Sequence, residues 1–126
     1  MKKKVGILLK KSEKNSISPP KLNFSSEARQ DLKSIQNYIA EEKESPKTAL
    51  SVVVKILNRI EVLQGLPNSG TLLFPKLNFP SNYRYVRALS YLIFYRYENN
   101  EIFIDRIIHG KRNYIAILFP TTEEEF

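Results

Sequence analysis

Two apolar stripes of helical period, set end to end with almost nothing between them, constrain this chain more than any other feature. The first runs Ala28, Leu32, Ile35, Ile39, in steps of four, three and four. Ser25 stands before it as an N-cap, and Glu27 falls in the first turn, where the helix dipole favours an anion. The second stripe is Ala49, Val52, Val53, Ile56, Ile60 and Leu63. Ser45-Pro46 announces it, a serine cap followed by proline where a missing N–H costs nothing. Gly65 is expected to close this helix in a left-handed conformation, and Pro67 blocks its continuation. The spacing predicts one helix over about residues 26–43 and a second from Pro46 to just before Gly65. Each is about 28 Å long at about 1.5 Å per residue. Helices of similar length joined by so short a turn must lie antiparallel, as a hairpin.

The periodicity then changes. Lys21-Leu22-Asn23-Phe24, ahead of the helices, alternates and suits one short strand. Residues 66–82, with Pro67, Gly70, Pro75 and Pro80, read as a long irregular connection. Beyond it lie three segments rich in aromatic and β-branched residues: Tyr83 to Ala88, Tyr91 to Tyr97 and Glu101 to Ile108. Turn signals separate them at Leu89-Ser90 and Glu98-Asn99-Asn100. The expectation is an α+β fold: a short N-terminal strand, an antiparallel helical hairpin, then a three-stranded antiparallel meander. The middle strand is apolar on both faces, with Tyr91, Ile93 and Tyr95 on one and Leu92 and Phe94 on the other. It is therefore central, and the hairpin covers one side.

The chain of 126 residues is expected to hold one domain, over residues 21–119. Residues 1–20 read as a basic flexible extension and residues 120–126 as a tail. The net charge of +7 comes almost wholly from the extension. Residues 1–21 carry seven lysines against Glu13, whereas residues 22–126 carry 13 Lys/Arg against 12 Asp/Glu. The domain is thus nearly neutral, and its pI is no argument for nucleic-acid binding. After Met1-Lys2-Lys3-Lys4 the apolar run Val5-Gly6-Ile7-Leu8-Leu9 is shorter than a secretory h-region. No run approaches a membrane span, so no membrane partner is expected and the cytoplasm is the expected location.

With no cysteine, thiolate chemistry, disulfides and Cys-based zinc sites are excluded. With His109 as the single histidine, a multi-His centre is excluded too, and neither metal nor cofactor is expected. The four glycines form no phosphate-cradling loop, and no nucleophile elbow is present. One cluster stands out. Arg84, Arg87, Arg96, Arg106, Lys111 and Arg112 interleave with Tyr83, Tyr85, Tyr91, Tyr95 and Tyr97. On a sheet, such residues could contact phosphate and stack on bases, form a protein-binding surface, or pack against the helices and pair with carboxylates. His109-Gly110-Lys111-Arg112 ends the last strand in a positive turn suited to meeting an anion.

The helix start FSSEARQDLKSI and the segment SYLIFYRYENNEIFIDRIIHGKRNY resemble the toxins of the RelE/ParE superfamily, from bacterial type II toxin–antitoxin pairs. The likeness covers roughly residues 21–119. It implies two mechanisms. RelE-like members are metal-independent ribonucleases that cut mRNA on the ribosome, using cations and often a late tyrosine. ParE-like members are not nucleases and poison DNA gyrase. The RIIHGKRNY ending, LPNSG and Arg84 are similar to the ParE branch. Leu92 stands where RelE-type enzymes carry a central-strand arginine, and Leu118 falls close to their late tyrosine, with Tyr114 nearby. Arg112 matches an arginine common to both branches.

The resemblance therefore implies a ParE-like gyrase inhibitor that causes growth arrest and plasmid stabilisation, held in check by an antitoxin. The implied target-binding residues are Arg84, Arg87, Arg96, His109, Lys111, Arg112 and Tyr114. Were the chain a ribonuclease instead, Arg87, His109, Lys111 and Arg112 would carry the chemistry. A non-toxic relative that only binds an antitoxin is the third reading. The antitoxin is expected on Leu32, Ile35, Ile39, Val53, Ile56 and Ile60, in a homodimer or a heterotetramer with the toxin.

Overall fold

The structure is a computed structural model and describes residues 18–73 and 82–120. Most of the basic extension and residues 121–126 of the tail lie outside the described residues. The folded part begins slightly earlier than Lys21. Pro20 is buried, its carbonyl accepts a hydrogen bond from Gln64 Nε2 at 2.8 Å, and Asn100 Nδ2 donates to the Ser18 carbonyl at 3.3 Å.

Strand β1 (Lys21–Phe24) leads into helix α1 (Ser26–Glu42), and α2 (Pro46–Val62) follows. Both serine caps form as their sequence positions require. Ser25 Oγ accepts from the Ala28 N–H at 2.9 Å, and Ser45 Oγ from the Thr48 N–H at 3.1 Å. The left-handed residue that turns the hairpin is Glu44, with φ 50. Gly65 differs from expectation: it is not left-handed. The chain leaves α2 through a run of tightened bonds, from the Leu63, Gln64, Gly65 and Leu66 N–H groups to the carbonyls three residues earlier. These satisfy the last carbonyls without a left-handed residue.

Strand β2 (Thr71–Leu72) is a short addition within the expected irregular connection. The meander then runs β3 (Tyr83–Ala88), β4 (Tyr91–Glu98) and β5 (Glu101–His109), and helix α3 (Tyr114–Leu118) ends the described chain. The expected α+β order is present, but the sheet is wider than a three-stranded meander. Its order is β1-β5-β4-β3-β2, with β1 parallel to β5 and the other pairs antiparallel. A bulge at Phe94/Tyr95 sets Tyr95 against Ile104 and Phe94 against Arg106, leaving Asp105 as the extra residue.

Each face of the sheet is buried by a different element. Val86, Ile93, Tyr95, Ile102, Ile104 and Ile107 pack with Ala28, Ile56, Ile60 and Leu63 of the hairpin. On the other face Leu92, Phe94, Ile108 and Leu73 are covered by Tyr114, Ile117, Leu118 and Phe119. The doubly apolar β4 thus has two covers.

Candidate functional site

The β3–β4 turn and the end of β5 meet at one end of the sheet, where the Gly110 N–H donates to the Ser90 carbonyl at 2.8 Å. Around this contact, Arg87, Ser90, His109, Gly110 and Lys111 line a cleft of about 200 Å³. His109 also lines a second cleft of about 470 Å³, between α1 and the sheet, with Asp31, Ser34, Ile35, Tyr38, Tyr91, Ile107, Ile108 and Arg112. The imidazole is therefore the shared wall of the two clefts.

Its ring stands edge-on to Tyr91, with centroids 5.3 Å apart. Nδ1 accepts the Lys111 N–H at 3.1 Å, so a neutral ring carries its proton on Nε2 and offers it as a donor. Burial, and secondarily Tyr38, push the Tyr91 phenol above its ordinary pKa. It stays neutral. Among the described residues the ion pairs are Arg96 with Glu98 and Asp105, and Arg106 with Asp31; Arg87, Lys111 and Arg112 take part in none. Arg87, Lys111 and Arg112 are exposed, so this end of the sheet presents three cations and a hydrogen-bonding imidazole to a partner.

The other expected target-binding residues lie elsewhere. Arg84 Nη1 donates to the Asn68 and Gly70 carbonyls at 3.1 and 2.9 Å, which makes it a clamp on the LPNSG loop. Tyr95 holds the same loop: its hydroxyl donates to the Pro67 carbonyl and accepts the Gly70 N–H. Arg96 bonds Asp105 and Glu98 at 2.9 and 3.0 Å and lies over the Phe103 ring, 4.8 Å from its centroid. Tyr114 packs on Phe94, on the face away from the hairpin. These three act within the fold.

The residues expected to bind the antitoxin on the hairpin differ in burial. Ile56 and Ile60 are 0% and 1% exposed, because their stripe faces the sheet and fills the core. Leu32, Ile35, Ile39 and Val53 are half-buried. α2 offers Leu50, Val54 and Leu57 outward, a stripe in steps of four and three, with Val62 also exposed at its last residue.

Two structural roles escaped the sequence reading. Asp31 lies on the apolar side of α1 and receives the Arg106 guanidinium in a two-bond fork at 2.8 and 2.9 Å. It also accepts the Ile107 N–H at 2.9 Å, standing in for a strand neighbour where β1 has ended. Its position three residues after Ala28 and four before Ile35 was the available signal. Helix α3 was signalled by Asn113 as a cap before Tyr114, Ile117 and Leu118.

A helical hairpin laid on one face of a small sheet, with a cationic strand end left open, defines a class of small α+β proteins. A chain of the structure described as "Chromosomal ParDE TA system from P. aeruginosa" shares this fold, with a TM-score of 0.63 and 22% identity over 74% of this chain and 98% of that one. No curated protein matches. Residues 22–114 match the family described as the ParE toxin of type II toxin-antitoxin system, parDE. The chain belongs to that toxin family. Among the described residues no helix is long and apolar enough to cross a membrane.

Proposed function

We propose that this ParE-family chain inhibits DNA gyrase in the cytoplasm, arrests growth, and is neutralised by a cognate antitoxin. The observation that favours this over RNA cleavage is the burial of Leu92. It is 3% exposed and covered through Phe94 and Ile108 by the C-terminal helix. Cleaving RNA without a metal needs cations around the phosphate and a group to move protons. The residue at the central-strand position is here an alkyl side chain in the core, and Tyr114 is packed on Phe94. The exposed cations Arg87, Lys111 and Arg112, in no ion pair among the described residues, sit at the strand end instead, beside apolar and aromatic surface. That combination suits a protein target.

Neutralisation follows from the same surface. An amphipathic antitoxin segment with acidic residues would set apolar side chains against Ile35 and Tyr38 in the larger cleft and carboxylates against Arg112. Purified protein added to gyrase should block supercoiling and accumulate cleaved DNA. His109→Ala with Arg112→Ala should weaken that effect by at least about tenfold while the chain stays folded. A folded double variant of full potency would reject this site. Unimpaired gyrase beside ribosome-dependent mRNA cutting would reject the function.

A further inference from the structure

We propose that the outward face of α2 is a self-complementary surface on which two copies of this chain pair, their α2 helices antiparallel about a two-fold axis at Val54. Leu50, Val54 and Leu57 stand exposed along α2, while Ala49, Ile56 and Ile60 of the same helix are buried. The stripe carries a charge at each end. Lys47 lies three residues before Leu50 and Glu61 four after Leu57, and both are exposed. Lys47, Leu50, Val54, Leu57 and Glu61 thus follow one another in alternating steps of three and four, the spacing of a helix–helix seam. They span about 21 Å at about 1.5 Å per residue.

The charges identify the occupant. Lys47 and Glu61 each stand seven residues from Val54, on opposite sides. In an antiparallel pair centred on Val54, Lys47 therefore meets Glu61 of the second copy, and symmetry repeats the contact at the other end. Leu50 falls beside Leu57 and Asn58 of the second copy. That is the mouth of a groove of about 240 Å³ which Leu57, Asn58 and Glu61 form with Leu22 and Phe24 of β1. Ser51 and Asn58, flanking the stripe, bring no like charges together. Within one chain the same two charges are poorly placed. Lys47 sits in the first turn of α2 and Glu61 in the last, each against the helix dipole, and neither takes part in an ion pair among the described residues. A uniformly acidic segment would be attracted by Lys47 and repelled by Glu61, so a second copy fits this face better. No α2 residue is among those lining the two clefts around His109, so pairing leaves that end of each copy open. One helix face per copy is a small interface, which makes the dimer a fast equilibrium.

Sedimentation of the full-length chain at low salt should show that monomer–dimer equilibrium. Lys47→Glu and Glu61→Lys should each weaken it at least about fivefold, by setting like charges together at both ends of the seam. The combined Lys47→Glu/Glu61→Lys should return to within about twofold of the native chain, because the swap restores the pairing. Each change suits the dipole at its own helix end, so loss of helix does not account for the weakening. Cross-linking locates the axis. The native chain has no cysteine, so Val54→Cys supplies one thiol, which a short bis-maleimide should join to its counterpart in the second copy. Leu89→Cys, at a more exposed position (51% against 43%), should be joined far less. Single variants of unchanged affinity, a swap that restores nothing, or equal joining at both positions would overturn the proposal. So would a chain that stays monomeric up to about 0.5 mM, whether or not its α2 face takes up an acidic amphipathic peptide.

Discussion

Gly70 shows how closely single residues are held. A Cβ built there would lie 2.5 Å from the Tyr95 hydroxyl oxygen and 2.9 Å from the Tyr85 carbonyl. The first neighbour is fixed by its own two hydrogen bonds and the second is backbone, so neither yields easily. Gly70→Ala should therefore cost about 1–3 kcal/mol in chemical denaturation. The Asp31 fork makes a comparable prediction. Asp31→Asn keeps the shape but removes the charge facing half-buried Arg106, and should cost about 1–3 kcal/mol. Tyr83 supplies a pH dependence. Burial first, and the hydrogen bond to Asp105 second, push its phenol from 10.0 up to about 12. The folded chain holds that proton over a range where the unfolded chain has lost it. Stability carried by Tyr83 is complete below pH 10 and falls between 10 and 12. Tyr83→Phe should flatten that part of the stability profile, as measured by denaturant titration at stepped pH.

At the scale of elements, local chemistry made most of the fold legible. Serine caps and stripe spacing located both helices, and the three long strands fall within a residue of their expected bounds. Where reading by period failed, the missing information was tertiary. β2 is two residues long and exists because Leu72 pairs with Arg84. The bulge at Asp105 leaves no mark on the alternation of β5. Ile56 and Ile60 of the α2 stripe are buried against the sheet, and one sequence does not say which apolar face of a helix is covered within the fold. The turns give a prediction of their own. Asn99 and Asn100, at φ 53 and 57, suit the left-handed region, whereas Leu89 at φ 56 does not. Leu89→Asn should keep the hairpin and raise stability by a few tenths to about 1 kcal/mol in thermal or denaturant unfolding.

For the molecule as a whole, the two buried faces divide its chemistry. Apolar packing of α3 takes the middle of the sheet out of use, and the exposed cations Arg87, Lys111 and Arg112 lie at one end around His109. Family and fold were legible because helix start, strand order and the HGKR ending agree along the chain. The site was legible only in part: of seven target-binding candidates, Arg87, His109, Lys111 and Arg112 come together, while Arg84, Arg96 and Tyr114 serve the fold. An arginine clamping a loop and an arginine awaiting a partner look alike in sequence, because the difference lies in which carbonyl or carboxylate folding brings beside each. The most direct measurement follows DNA-damage signalling and bulk translation side by side after the full chain is induced in a bacterial cell. Gyrase inhibition predicts an early damage response while protein synthesis continues. Immediate loss of translation with cut mRNA, and no damage response, would contradict it.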